Sequence, residues 1–318
     1  ILSAVLLGTN LASASLTSPR TSCMGIPASK NGWTAGKRGP MTLADYEGDG
    51  HSNSSPALVK DLSKLSQLRG GAGPLDPTVM ANVFTYIALL QGVFTSLSGE
   101  TTCKQYGASM TKMNFAHMKR IGITILSIAI LALCQGYFGC SVENSMALST
   151  IPWTVEPLYA MLNNVQEEFG GQGEAFISVI LSGLIPGLIM HTNFNDWASG
   201  AMTYYTCFMI VAGVTISYPV MKFSPGFAEA FWKLPKTTKD QQVTLSIFGA
   251  WLLGFGLQLY AVAHGKSYEV STALAVVPTI VNILASMIMG DLKALGLPKG
   301  LNEFWLVFFM ILAATNLL

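Results

Sequence analysis

Charged residues are scarce in this sequence. Asp, Glu, Lys and Arg make up 11% of its 318 residues, whereas soluble globular proteins carry about 25%. Hydrophobic residues make up 51%, and they fall in uncharged blocks of membrane-crossing length. This pattern argues against a soluble fold. The net charge of +1 gives no general basic character, so nucleic acid is not an expected partner.

Side chains that bind metals or perform catalysis are also few and scattered. The isolated histidines, His51, His117, His191 and His264, cannot assemble the His boxes of membrane desaturases. The cysteines, Cys23, Cys103, Cys134, Cys140 and Cys207, have neither CxxC nor Cys/His ligand spacing. G-x-S-x-G, HExxH, P-loop and dinucleotide motifs are missing as well. We therefore predict no metal, no cofactor and no enzymatic activity.

The first 74 residues differ in composition from the rest of the chain. Residues 1–15 have an apolar core followed by Ala12-Ser13-Ala14, which is typical of a signal peptide, although an ordinary apolar terminus has the same appearance. Residues 16–74 are predicted to be a disordered targeting or linker region, with a short amphipathic helix near 57–68. The basic, acid-poor stretch after the signal resembles the presequences of algae with complex plastids.

The remaining residues predict an all-α, polytopic membrane helix bundle. We expect eight transmembrane helices, with seven as the alternative because several apolar runs are short. The predicted spans are Val79–Leu97, Gly122–Phe138, Met146–Leu162, Ala175–Met190, Ala201–Tyr218, Thr244–Ala263, Thr272–Met289 and Glu303–Leu317.

A sequence pattern that occurs twice in the chain predicts two parallel four-helix repeats, at residues 75–198 and 199–318. The segments Thr124–Phe138 and Thr244–Ala263 both contain Leu-Ser-Ile near the start and Gln-x-Tyr near the end. An even number of spans per unit returns the chain to its starting side, so both copies have the same orientation in the membrane. This register places Gln135 over Gln258, and Glu156 opposite the region of Val277 and Pro278.

Lysine and arginine are unevenly distributed between alternate loops, which predicts orientation. One side carries Lys104, Lys112, Lys119, Arg120, Lys222, Lys233, Lys236, Lys239, Lys293 and Lys299. The other side carries Lys60, Lys64, Arg69 and Lys266. We expect the first side to be cytosolic, or stromal in a plastid, with both termini lumenal. The implied location is the endomembrane system or a plastid membrane of a eukaryote.

Polar side chains within the spans are the candidate site residues. Glu156 is the one acid well inside a predicted span, and an intramembrane carboxyl suggests a substrate or coupling group. A re-entrant third span in which Glu156 meets water is the alternative. Gln135, Gln258 and Asn282 are further candidates, although hydrogen bonding between helices is the more common role of such residues.

One short motif resembles a known family. Phe248-Gly249-Ala250-Trp251 opens a predicted span and is similar to the FGxW of the small four-helix scaffold proteins of ergosterol biosynthesis. The resemblance covers one repeat and implies a four-helix membrane scaffold. The chain departs from the family at the Arg that follows this motif, where Gln258 and Leu259 stand. It departs again at the later His-x-x-x-Glu, which aligns with Asn282 and Ser286.

These observations favour a non-enzymatic, multi-pass integral membrane protein that scaffolds partners or holds lipid. The alternative is a secondary transporter or channel for a neutral or weakly charged small solute, with Glu156 as the coupling group. The expected partners are membrane lipid and either other membrane proteins or a small solute.

Overall fold

A computed structural model describes residues 76–162, 173–295 and 300–318. Within these residues all regular structure is helical, and no strand is present. The predicted signal peptide, the region 16–74 and the amphipathic helix near 57–68 lie outside the described residues.

The described helices are numbered in chain order. They are α1 (Pro77–Leu97), α2 (Gly99–Gln105), α3 (Lys112–Gly136), α4 (Val142–Ser149), α5 (Ile151–Leu162), α6 (Gly173–Thr192), α7 (Ala198–Thr215), α8 (Tyr218–Phe223), α9 (Pro225–Phe231), α10 (Lys239–Ala263), α11 (Tyr268–Ile288) and α12 (Leu301–Leu317). Short 3-10 helices occupy Phe194–Asp196 and Asp291–Ala294.

Helices α3 and α10 form the centre of the bundle, where they pack against each other. Both begin after a threonine that caps the helix. The Thr111 hydroxyl accepts from the backbone N–H of Asn114 at 3.2 Å, and the Thr238 hydroxyl accepts from the backbone N–H of Gln241 at 3.4 Å. Most of their side chains are buried. The other long helices surround this central pair, with α1 on α3, α7 on α10 and α11 on α10.

The outer helices turn apolar side chains away from the bundle. Exposed residues on α1 include Val83, Leu90 and Leu97, and α12 exposes Phe304 and Val307. Many exposed apolar side chains on the outer helices are unfavourable in water and suit the hydrocarbon of a bilayer. These helices therefore indicate an integral membrane protein.

Five helical segments of the described chain are long and apolar enough to cross a membrane: Pro77–Leu97, Lys112–Gly136, Ala198–Phe223, Lys239–Ala263 and Tyr268–Ile288. They overlap five of the eight predicted spans, two of which were predicted to end one or two residues later than the helices do. The predicted span Met146–Leu162 is divided between α4 and α5, and α12 is a shorter apolar helix. The all-helical membrane bundle is supported, while the number of eight spans stays a prediction.

Glycines let the outer helices approach the central pair closely at matching places. A Cβ atom added to Gly92 of α1 would lie 2.7 Å from the backbone nitrogen of Leu126 in α3. A Cβ atom at Gly213 of α7 would collide with the backbone nitrogen of Leu253 in α10. Gly122 of α3 and Gly249 of α10 in turn face the backbones of α1 and α7. Close helix contact through small residues is common in membrane bundles.

A buried carboxylate lies at the end of the bundle that carries the basic loops. Asp291 accepts hydrogen bonds from the Tyr218 hydroxyl at 2.6 Å and from the Lys222 ammonium at 2.6 and 2.7 Å. The Lys239 ammonium lies 3.4 Å from the same carboxylate. Burial raises the pKa of Asp291, but these hydrogen bonds outweigh it and hold the pKa below its usual value.

Candidate functional site

The Glu156 cavity lies between the two halves of the chain and has a free volume of about 120 Å³. Its walls are formed by residues of α3, α5, α6, α7 and α10 and by residues of the segment after α9. The lining residues are His117, Arg120, Trp153, Glu156, Pro157, Val179, Phe208, Met209, Ala212, Ile216, Trp232, Leu234, Leu245, Phe248 and Leu252.

Polar and charged groups converge on this cavity from two helices. Glu156 of α5 is half-buried, and His117 and Arg120 lie three residues apart on α3, so they share a face. His117 is only 2% exposed. Among the described residues, neither ring nitrogen of His117 nor the indole nitrogen of Trp153 has a hydrogen-bond partner. A buried polar group without a partner costs about 1–3 kcal/mol, so a ligand that hydrogen-bonds these groups would be stabilised.

The rest of the cavity wall is apolar. Trp153 stacks on Phe248 with ring centroids 5.9 Å apart and an interplanar angle of 27°. Met209 of α7 and Leu252 of α10 are buried beside them. An apolar wall with a few polar groups is typical of sites for small organic molecules.

The Asn282 cavity is a second, smaller space of about 70 Å³. Its lining residues are Gln91, Thr95, Thr102, Tyr106, Met118, Ile121, Ile125, Ile247, Trp251, Thr279, Asn282, Ile283, Leu292, Asn302, Trp305 and Phe309. Trp251 and Trp305 each contact Phe309, with ring centroids 5.7 and 5.5 Å away. In the same lining, the side-chain amide of Gln91 donates to the Tyr106 hydroxyl at 3.0 Å.

The two cavities are lined by similar arrangements of helices. The Glu156 cavity has α5 and α6 on one side and α7 on the other, while the Asn282 cavity has α11 and α12 on one side and α1 on the other. Both use the N-terminal halves of α3 and α10, which brings both cavities toward the end with the basic loops. The FGxW motif divides between them, because Phe248 lines one and Trp251 the other.

The four site residues chosen from the sequence separate into two pairs. Glu156 and Asn282 line different cavities. Gln135 and Gln258 line neither of these two cavities. The Ser271 hydroxyl of α11 donates to the side-chain oxygen of Gln135 at 3.1 Å, and the Gln258 amide donates to the carbonyl oxygen of Ile128 at 3.3 Å. Both glutamines therefore link α3 to the second half of the chain.

Sequence reasoning missed His117 and Arg120 as site residues. In the sequence His117 looks isolated and Arg120 looks like a loop charge, but α3 begins at Lys112 and includes both. Their spacing of three residues at the basic end of an apolar helix was the available signal. The described residues contain no group of three or more His, Cys, Asp or Glu side chains that could hold a metal ion.

Comparison of the chain with protein-family models, with curated proteins and with solved structures finds no match. The fold and the cavities therefore define a class of protein and not a particular protein family. The apolar helices indicate an integral membrane protein, and within its described helix bundle the Glu156 and Asn282 cavities both use residues of α3 and α10.

Proposed function

We propose that this is a non-enzymatic, lipid-associated integral membrane protein that holds a small amphipathic molecule in the Glu156 cavity. The observation that carries the proposal is the convergence of Glu156, Arg120 and the partnerless His117 ring on an otherwise apolar space between the halves. The polar end of the ligand faces these three groups, and its apolar part lies against Phe248 and Leu252.

The charges of the cavity favour a neutral or zwitterionic polar group. Glu156 and Arg120 carry opposite charges. One of them would attract and the other would repel any strongly charged ligand, so the cavity favours neither a strongly anionic nor a strongly cationic one. The free volume of about 120 Å³ is close to that of cavities that hold a single small ring. One end of a lipid fits this space better than a whole lipid does.

We further propose an internal duplication, which would favour a site between the two halves. The α4–α5 segment from Ser141 aligns without a gap with α11 and its cap Ser267. The identical pairs are Ser141/Ser267, Glu143/Glu269, Ser145/Ser271, Ala147/Ala273, Leu148/Leu274, Pro152/Pro278, Val155/Val281, Leu158/Leu284 and Met161/Met287. Alignment of α3 with α10 from their capping threonines also pairs Gly122 with Gly249 and Leu126 with Leu253, the residues that make matching contacts.

This alignment of the two halves differs from the one based on the repeated Gln-x-Tyr pattern. It pairs Glu156 with Asn282 rather than with the region of Val277 and Pro278, and it pairs Gln135 with Val262 rather than with Gln258. The two cavities then become copies of one ancestral space. In one copy the equivalent position carries a carboxylate, and in the other it carries a neutral amide.

Topology and location are part of the proposal. Eight spans in two parallel repeats, with the basic loops cytosolic or stromal, would place both cavities toward that side of the membrane. An endomembrane or plastid membrane remains the proposed location. Accessibility of single cysteines placed in the loops to a membrane-impermeant thiol reagent tests the orientation.

The Glu156→Gln substitution tests ligand binding. Native mass spectrometry of the detergent-purified protein should show a bound lipid-sized molecule, and the Gln variant should retain roughly tenfold less because it loses the charged hydrogen-bond acceptor. Glu143→Gln is the matched control, since Glu143 lies in α4 of the same half and outside the cavity lining. Equal retention by both variants would contradict the proposal. Co-purification of a partner protein without any bound lipid would instead favour the scaffold form of the hypothesis.

A secondary transporter is the second candidate, favoured by two related cavities that share α3 and α10. Proton coupling at Glu156 predicts a pH-dependent flux of a small solute in proteoliposomes. Glu156→Gln removes the titrating group and keeps a hydrogen-bonding side chain of similar shape, so it should abolish the pH dependence. Identical profiles for the two proteins would exclude the coupling role of Glu156.

A further inference from the structure

Partnerless polar atoms gather at the Asn282 cavity. The side-chain oxygen of Asn282, the hydroxyl of Thr279 and the indole nitrogen of Trp305 are all buried without a hydrogen-bond partner among the described residues. Asn282 is 4% exposed and Thr279 is 3% exposed. Thr279 and Asn282 lie three residues apart on α11 and so share the face that lines the cavity. Buried polar groups are normally paired, so an occupant that forms hydrogen bonds with these atoms would be stabilised in the cavity.

The hydrogen-bonding capacity of these groups matches a hydroxyl. The oxygen of Asn282 accepts, the indole of Trp305 donates, and the hydroxyl of Thr279 can do either. The Tyr106 hydroxyl, which belongs to the same lining, accepts from Gln91, and this leaves its own proton for donation to a guest. A single hydroxyl group can therefore donate to Asn282 while it accepts from Trp305 or Tyr106.

The cavity has no charged lining residue among the residues that the structure describes. It differs in this respect from the Glu156 cavity, which has Glu156 and Arg120. Because an ion would lose its hydration without gaining a counter-charge, the lining selects against charged molecules. The rings of Trp251, Trp305 and Phe309 supply an apolar wall for the body of the guest.

We propose that the Asn282 cavity is a second binding site, which takes the hydroxyl end of an uncharged alcohol with a compact apolar body. Its free volume of about 70 Å³ accommodates the hydroxyl and a few heavy atoms. The inference does not rest on the proposed function of the Glu156 cavity, since the two cavities have no lining residue in common.

Tryptophan fluorescence provides the test, because two of the lining residues are indoles. The probe is 2,2,2-tribromoethanol, a neutral alcohol whose bromine atoms quench indole emission on contact. Titration of the full chain in detergent should give a saturable component above linear background quenching. Tribromoacetate, an anion of similar shape, should give only the linear background.

Substitutions on α11 assign the saturable component to the cavity. Asn282→Leu and Thr279→Val remove one polar partner each and keep similar volume, so each should weaken the saturable binding several-fold, with the larger effect, roughly tenfold, at Asn282. Ser286→Ala is the matched control: its hydroxyl is also buried and partnerless on α11, but Ser286 does not line the cavity. Glu156→Gln should also leave this binding unchanged.

Either of two results would overturn the proposal. One is quenching that stays linear and equal in all variants, which would mean that the probe reaches only exposed indoles such as Trp197. The other is saturable quenching by tribromoacetate with equal strength. If Asn282→Leu does not fold, the near-isosteric Thr279→Val decides the matter, since it keeps the β-branched shape of the side chain.

Discussion

Gly213→Ala should destabilise the bundle, because the added methyl group would collide with the backbone of Leu253 in the central helix α10. Overpacking of this kind costs about 1–3 kcal/mol, and here the obstacle is main chain, which cannot rotate away. Gly92→Ala should behave alike, since its methyl group would lie 2.7 Å from the backbone nitrogen of Leu126. The measurement is the thermal unfolding midpoint in detergent.

Gly200→Ala is the control for this prediction. Gly200 also lies in α7, but a Cβ atom there meets nothing within 4 Å. This substitution should be neutral or slightly stabilising, because alanine favours a helix more than glycine does. Equal midpoints for Gly200→Ala and Gly213→Ala would show that α7 does not approach α10 as closely as described.

Asp291→Asn should also lower stability strongly. The substitution leaves Lys222 and Lys239 without their carboxylate, and Lys222 is three-quarters buried there, with 27% of its side chain exposed. Removal of one member of a buried ion pair costs about 3 kcal/mol. Glu100→Gln is the control, because the pair of Glu100 with Lys104 is exposed and such pairs are worth little.

The Asp291 carboxylate should make the stability of the folded protein depend on pH. Hydrogen bonds hold the pKa of Asp291 below its usual value, although burial opposes them. A group of this kind contributes stability above its pKa in the unfolded chain, about 4, and that contribution is lost as the pH falls through the lower pKa of the folded protein. The unfolding midpoint should therefore decrease below about pH 4. Asp291→Asn should lack this part of the decrease, and an unchanged profile would contradict the assignment.

Local patterns in the sequence were sufficient to predict that the protein is a helical membrane protein and to predict where most helices lie. A run such as Thr244–Ala263 has enough uncharged residues to cross a bilayer, and no other part of the chain is needed to recognise it. The central helix begins earlier, at Lys239, because Thr238 caps it and the first turn stays polar. Glu156 and Asn282 were likewise noticed because polar side chains are rare in apolar runs.

Pairing between distant segments was not predictable from those same patterns. Gln135 and Gln258 looked like equivalent site residues, yet each hydrogen-bonds a neighbouring helix and neither lines the two cavities described above. His117 looked isolated in the sequence, but the packing of α3 against α5 and α10 places it in the lining of the same cavity as Glu156. A cavity exists only where several helices meet, so it cannot be predicted from the sequence of any single helix.

The amino-acid sequence by itself determined that this chain forms apolar helices of membrane length, because length, hydropathy and capping residues act within one segment. Tertiary structure alone decided which polar residues face a cavity and which face another helix. The physical reason is that helix rotation and partner choice depend on close packing among residues far apart in the chain, such as Gly92 with Leu126 and Gly213 with Leu253.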